Sequence, residues 1–253
     1  MKIARARGRD GRVRHGILTD GELRWLDDTF DFEAPRAGEQ RCSLEEITLL
    51  APVSPGKLIG IGRNYAAHAK ELGNEAPESP LLFLKPPSAV IGPGESIILP
   101  GASSQVHYEG ELAIVIGRSC RAIRADEWLE FVLGFTVAND VTARDLQKKD
   151  VQFTRGKGFD TFCPLGPWIE TDLEAGDLAV VTRLNGEVVQ SGRTSQMIFG
   201  CGEIMEFVSG IMTLEPGDVI LTGTPEGVGA LSEGDEIEVE VEGIGVLQSS
   251  VAR

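Results

Sequence analysis

The stretch His107-Tyr108-Glu109-Gly110-Glu111-Leu112-Ala113-Ile114-Val115-Ile116 constrains this chain more than any other. Its second half reads as a buried strand. Its first half places two glutamates two residues apart. Residues i and i+2 of a strand share a face, so Glu109 and Glu111 aim two carboxylates at one point. Carboxylates held that close repel unless something positive lies between them. Asp140 follows about one helix-and-strand unit later, at the end of Phe135-Thr136-Val137-Ala138-Asn139. Three carboxylates form a hard, all-oxygen donor set for Mg²⁺ or Mn²⁺, with Ca²⁺ as a further possibility. The competing reading leaves one glutamate exposed on an edge strand and Asp140 capping a turn. Spacing alone does not separate the two.

A chain of 253 residues can bury one large core, or a main domain plus a small appendage. Its 31 glycines and 13 prolines predict many short strands joined by turns. The net charge of −15 disfavours nucleic acid and anionic membrane as partners. An anionic substrate then needs local positive charge from a metal, Lys or Arg. Cys42, Cys120, Cys163 and Cys201 are far apart and form no CxxC pair. Reduced thiols of a cytoplasmic protein are expected rather than a zinc cluster. No apolar run reaches membrane length, and no signal-peptide core is present. Lys2, Arg5, Arg7, Arg9, Arg12 and Arg14 crowd the start. Gly8-Arg9-Asp10-Gly11 reads as the turn of a short surface hairpin, in preference to a transit peptide or a nucleic-acid arm.

Residues 1–53 are predicted to form a small β-rich domain, with Asp10-Gly11 and Asp20-Gly21 as turns. The Pro- and Gly-bearing segment 51–57 is a linker, and 57–253 is the main domain. Strands are expected at 58–62, 81–84, 96–99, 111–116, 134–139, 218–222, 236–241 and 246–251. Asn64 is expected to cap a helix over 65–72 that Gly73 ends, Asp126 to cap a helix through Val132, and Thr142 to cap another. Asn185-Gly186 marks a hairpin between 178–184 and 187–189. Ile204, Phe207, Val208 and Ile211 recur at helical spacing. Strands dominate and strand–helix alternation is missing, so the fold class is α+β, β-rich, built on antiparallel sheets.

Three further constellations carry chemistry. His68 and Glu71, at i and i+3, share a helix face, and a carboxylate that holds an imidazole prepares a general base. A casual surface pair is the plainer reading. Lys157 lies among glycines in Arg155-Gly156-Lys157-Gly158, where an ammonium can approach an anion or simply be solvated. Leu221-Thr222-Gly223-Thr224-Pro225-Glu226-Gly227 offers backbone N–H groups and hydroxyls to a carboxylate or phosphate, or is an ordinary turn. It lacks the lysine of a P-loop.

Taken together, Gly62-Arg63-Asn64-Tyr65-Ala66-Ala67-His68, Phe83-Leu84-Lys85-Pro86, Glu109-Gly110-Glu111-Leu112, Asp140-Val141-Thr142-Ala143-Arg144-Asp145-Leu146-Gln147, Lys157-Gly158-Phe159-Asp160-Thr161, Met197-Ile198-Phe199 and Leu221-Thr222-Gly223-Thr224-Pro225 resemble the fumarylacetoacetate hydrolase family, in order over about residues 57–253. The resemblance implies that family's fold of packed mixed sheets and a β-roll with short helices, in a homodimer. It implies Mg²⁺ or Mn²⁺ on Glu109, Glu111 and Asp140, His68 with Glu71 as base dyad on a segment that orders over ligand, and Lys157 beside metal and substrate. Arg63, Tyr65, Arg144, Gln147, Thr161 and Thr224 are implied as substrate contacts. The leading segment is of the short bacterial type, unlike the large leader of the tyrosine-pathway enzymes.

The activity so implied is chemistry on a 2-oxo or 2,4-dioxo acid through a metal-stabilised pyruvate enolate. C–C hydrolysis of acylpyruvate-type acids in aromatic catabolism is the first expectation. Isomerisation of 2-hydroxyhepta-2,4-diene-1,7-dioate and decarboxylation of the related tricarboxylate or of oxaloacetate share the same enolate and are the alternatives. A non-catalytic module, with the metal only pinning loops, is the rival from outside enzymology.

Overall fold

The computed structural model describes residues 1–253 except 20, 27–29 and 33–34. The N-terminal strands are β1 (Lys2–Gly8), β2 (Val13–Thr19), β3 (Glu22–Leu26), β4 (Ala37–Ser43) and β5 (Ile47–Leu50). After the linker come β6 (Leu58–Gly62), α1 (Ala66–Glu71), β7 (Leu81–Lys85), β8 (Val90–Ile91), β9 (Ser96–Ile98), β10 (Val106–Tyr108) and β11 (Gly110–Ile116). Next are β12 (Val132–Asn139), β13 (Thr142–Ala143), α2 (Arg144–Lys149), α3 (Thr154–Lys157) and β14 (Cys163–Glu170). The chain ends with β15 (Ala179–Leu184), β16 (Glu187–Arg193), α4 (Cys201–Ile211), β17 (Val219–Leu221), β18 (Gly229–Ala230), β19 (Glu236–Val241) and β20 (Gly245–Ala252).

The main sheet runs β4-β3-β2-β1-β14-β12-β11-β17-β6-β7, with β5 beside β1 and β8 beside β14. A second sheet, β16-β15-β19-β20-β9, packs against it, and β13-β10-β18 forms a third. Most pairings are antiparallel, while β17–β6, β14–β8 and β20–β9 are parallel. The fold is thus β-rich with few short helices and mixed sheets. Among the described residues, no helix is long and apolar enough to cross a membrane.

β11 is central because all seven of its residues are buried. Leu112, Ile114 and Ile116 face a core shared with Val180 and Val239 of the second sheet, while Ala113 and Val115 face Leu58 and Leu165 on the other side. A strand covered on both faces must be continuously apolar, which explains its composition. β11 pairs with β12 in the register Gly110↔Asn139 and Ala113↔Thr136. Glu109 precedes the paired stretch and Asp140 follows it. The two therefore meet at one end, with Asp140 N donating to Glu109 O at 2.8 Å.

Several local expectations give way to tertiary contacts. The N-terminal hairpin forms, but β1 is no detached surface element. Ile3, Ala4 and Ala6 are buried, and β1 joins the main sheet through Ile3↔Ile169. The Asp20-Gly21 turn lies partly outside the described residues. Asn64 does not cap α1. Its Nδ2 donates to Phe199 O at 3.0 Å and Thr222 O at 2.8 Å, and its Oδ1 accepts from Phe199 N at 2.9 Å. Three bonds to two loops, one of them fully buried, outweigh one cap bond. Asp126 pairs with Arg124 instead of capping, and the helix there is one 3₁₀ turn, Trp128–Phe131, because Val132 opens β12. Thr142 lies in β13, and its hydroxyl donates to Asp140 O at 2.9 Å rather than capping α2. Gly73, at φ +72°, does end α1, and Asn185 and Gly186, at φ +52° and +84°, make the β15–β16 hairpin turn.

Candidate active site

Glu109, Glu111 and Asp140 converge, with one oxygen from each lying within 4.8 Å of the others. All three are buried at the floor of a cleft of about 290 Å³. Lys157 Nζ donates to Glu109 Oε2 at 2.8 Å, to Thr142 Oγ1 at 2.9 Å and, closely, to Asp140 Oδ2. Phe83 lies beneath that ammonium, its ring centre 4.6 Å away. Arg144 donates closely to Glu109 Oε1, and its Nη1 donates to Gln147 Oε1 at 2.7 Å. Arg144 Nε is buried and makes no hydrogen bond with a described residue.

These contacts set the charge states. Burial pushes the Glu109 carboxyl up, but Lys157, then Arg144 and His68, hold it far below the usual carboxylate range. Burial lowers the Lys157 ammonium, and Asp140 and Glu109 more than offset that, leaving it raised. Glu111 goes the other way. Burial, and then the charges of Asp140 and Glu109, push its carboxyl well above the ordinary value. Its Oε2 accepts from Gly223 N at 2.6 Å, while Oε1 takes no hydrogen bond from any described residue. A crowded carboxylate with a free oxygen, beside two others, is the donor set that a hard dication satisfies. The residues present fit Mg²⁺ or Mn²⁺.

The base dyad forms on α1. His68 is buried, and its Nδ1 lies 3.3 Å from Glu71 Oε2. Nε2 lies 3.9 Å from Glu109 Oε1, beyond hydrogen-bond reach, and so is not tied to that carboxylate. Glu71 also accepts from Gly227 N at 3.1 Å, which ties α1 to the loop after β17. Two N–H groups of the glycine-rich loop 221–229 thus go to the protein's own carboxylates. Gly223 holds Glu111 and Gly227 holds Glu71. Those two amides hold carboxylates of the protein itself.

Arg63, Arg144, Gln147 and Thr224 line the cleft with His68 and Lys157. Tyr65 and Thr161 do not. Tyr65 is buried at the start of α1 and bridges to Met197, and burial followed by the nearby charge of Glu111 raises its phenol. Thr161, at φ +69°, accepts from Ile98 N at 2.8 Å and so anchors β9. Thr224 donates to Gly110 O at 2.9 Å and accepts from Gln190 Nε2 at 2.8 Å.

Lys85 went unread in the sequence. Its Nζ lies 2.6 Å from Asp140 Oδ1 and 3.2 Å from Val141 O, with the side chain fully buried. Alternation along β7 was the available signal, since Phe83 and Lys85 stand two apart on the buried face. Gln190 was missed as well. Its Oε1 accepts from Gly110 N at 3.0 Å and Thr182 Oγ1 at 2.8 Å, linking the second sheet to the acidic strand.

The comparisons agree with this geometry. The family model described as fumarylacetoacetate (FAA) hydrolase C-terminal matches residues 57–252, and one described as Rv2993c-like, N-terminal matches residues 1–52. The chain belongs to the fumarylacetoacetate hydrolase family, a family of enzymes. It is 46% identical to Protein Rv2993c of Mycobacterium tuberculosis, over 100% of this chain and 98% of the relative. A solved structure, 5-carboxymethyl-2-hydroxymuconate delta-isomerase from Mycobacterium smegmatis, superposes with TM-score 0.94 at 47% identity, each chain covered in full. The mitochondrial oxaloacetate tautomerase FAHD2A of Bos taurus is 46% identical over 81% of this chain and 70% of its own.

Proposed function

We propose that this chain is a divalent-cation-dependent enzyme that moves a proton next to the keto group of a 2-oxo acid, interconverting keto and enol forms or shifting a conjugated double bond. The observation that carries this reading is the pose of His68. Glu71 holds one ring nitrogen, while the other faces the carboxylate cluster, 3.9 Å from Glu109 Oε1. That is the arrangement of a general base above a bound substrate.

Glu109, Glu111 and Asp140 would hold Mg²⁺ or Mn²⁺, which when bound supplies Lewis acidity toward the substrate's carboxylate and keto oxygen. His68 Nε2 then takes a proton from C3, and Glu71 stabilises the imidazolium so formed. The electrons of the broken C–H bond move into the C2–C3 bond, and negative charge appears on the C2 oxygen. Lys157 is the ammonium nearest to that charge. The imidazolium returns the proton to oxygen, to C3 or to a conjugated carbon. The unpaired Nε of Arg144 suits the C1 carboxylate.

The relatives support proton transfer as the first reading. The names of the isomerase and the tautomerase described above both denote it. A second reading, C–C hydrolysis of an acylpyruvate, is favoured by one observation. Glu71 is 34% exposed, so water can reach the dyad from outside the cleft. A substrate panel with Mg²⁺ and with Mn²⁺ separates them. Enol–keto conversion of oxaloacetate that outpaces pyruvate release from acylpyruvates supports proton transfer. The reverse order makes the protein a hydrolase, and inactivity on both sinks the enzymatic reading.

A further inference from the structure

Phe83 is a buried aromatic side chain that belongs to none of the apolar core clusters formed by the described residues. Three contacts define its place instead. Gly60 stands opposite it on β6, and the tip of the ring occupies the space that a side chain at 60 would take. Phe153 meets the ring edge-to-face, with centres 6.0 Å apart and planes at 65°. The Lys157 ammonium lies over the ring face, 4.6 Å from its centre, which is within reach of a cation–π attraction.

Lys157 needs such support from outside its own element. It closes α3, a helix of four residues whose start carries no side-chain cap bond. A single turn has no stability of its own in water. Lys157 N donates to Phe153 O at 3.0 Å across that turn, and both side chains lie against Phe83. The ring therefore pins the turn that carries the ammonium. Attraction to a ring face also differs from a hydrogen bond in one respect. It acts on the charge and leaves the direction of each N–H free. The three N–H groups of Lys157 point to Glu109, Thr142 and Asp140. A substrate oxygen is met only when one of them turns away from an oxygen of the protein. The hydrogen bonds then weaken, while the ring holds the ammonium as before.

We propose that Phe83 is a positioning residue for the proton transfer: its ring face keeps the Lys157 ammonium in place while one N–H swings from a protein oxygen to the C2 oxygen of the substrate. This rests on the role given to Lys157 in enolisation and adds what holds that charge during the step.

Replacing Phe83 with 4-fluoro-, 3,5-difluoro- and 3,4,5-trifluorophenylalanine tests this, because each fluorine weakens the negative face of the ring with little change of shape. Tm of the metal-free protein is expected to fall along the series, by about 2–4 °C in all. In the Mg²⁺-loaded protein, kcat for enolisation of a 2-oxo acid is expected to fall in the same order, about fivefold over the series, with KM constant within about twofold. A flat Tm series would show that the ring does not attract the ammonium, and overturns the proposal. A falling Tm with constant kcat would confine the ring to the fold, and overturns it as well. A rise in KM at constant kcat would place the ring against substrate instead of Lys157, with the same consequence. Failure of the underlying reading looks different. A wild type that enolises no 2-oxo acid would remove the reaction, and the positioning role with it, even where the Tm series falls as expected.

Discussion

Lys85 Nζ sits 2.6 Å from one carboxylate oxygen of Asp140, while Lys157 holds the other. Asp140 is thus clamped between two ammonium groups, one fully buried behind it and one facing the cleft. The inner lysine fixes the direction of the carboxylate, and the outer one is placed to meet substrate.

Lys85→Met is therefore expected to destabilise the fold by about 3 kcal/mol, the lower part of the range for breaking a buried pair, because Asp140 keeps Lys157 as a partner. Urea unfolding of wild type and variant measures it. A loss under about 1 kcal/mol would show that the clamp contributes little to the fold.

Glu111→Gln is expected to act oppositely in the metal-free protein. Burial, Asp140 and Glu109 all oppose its charge, so a neutral side chain of the same shape removes repulsion. A gain of about 1 kcal/mol would raise Tm by about 2–4 °C in a protein of this size. The same variant should lose the rise in Tm that Mg²⁺ gives the wild type. A variant that is less stable without metal, or that keeps the Mg²⁺ response, contradicts the three-carboxylate site.

The acidic cluster and the base dyad were legible because each rests on a short spacing, i to i+2 on a strand and i to i+3 on a helix. Asp140 was legible as the end of an apolar run. Lys85 was not, since a lysine closing Leu81-Leu82-Phe83-Leu84 looks like the polar end of an edge strand, and only the partner 55 residues later reveals its burial. The caps assigned to Asn64, Asp126 and Thr142 failed for one reason. Each side chain or its backbone found a distant or competing partner, and propensity is a weak prior against that. The joining of β1 to β14 depends on pairing Ile3 with Ile169, which no local pattern announces. Tyr65 and Thr161 sit inside matching motifs but hold structure rather than line the cleft.

The N-terminal strands carry a pH response of their own. His15 stacks on Phe30 at 3.9 Å between ring centres, its Nε2 lies 3.0 Å from Pro52 O, and burial lowers its pKa from 6.5 to about 4. The unfolded chain takes up this proton at higher pH than the folded one. The stabilisation is complete above pH 6.5 and is lost as pH falls toward 4, by at most about 3 kcal/mol. Wild type should lose more Tm than His15→Phe across that window. Parallel curves would show that His15 does not titrate as its burial implies.

Hydrogen–deuterium exchange at C3 of a 2-oxo acid, followed by proton NMR in D₂O with Mg²⁺, tests the central claim most directly. The wild type should accelerate exchange, a chelator should abolish the acceleration, and His68→Ala should reduce it by about 10²–10⁴-fold. Exchange that proceeds equally well with the chelator present, or at the wild-type rate in His68→Ala, would contradict a cation-dependent enolisation run by His68 over the Glu109, Glu111 and Asp140 cluster.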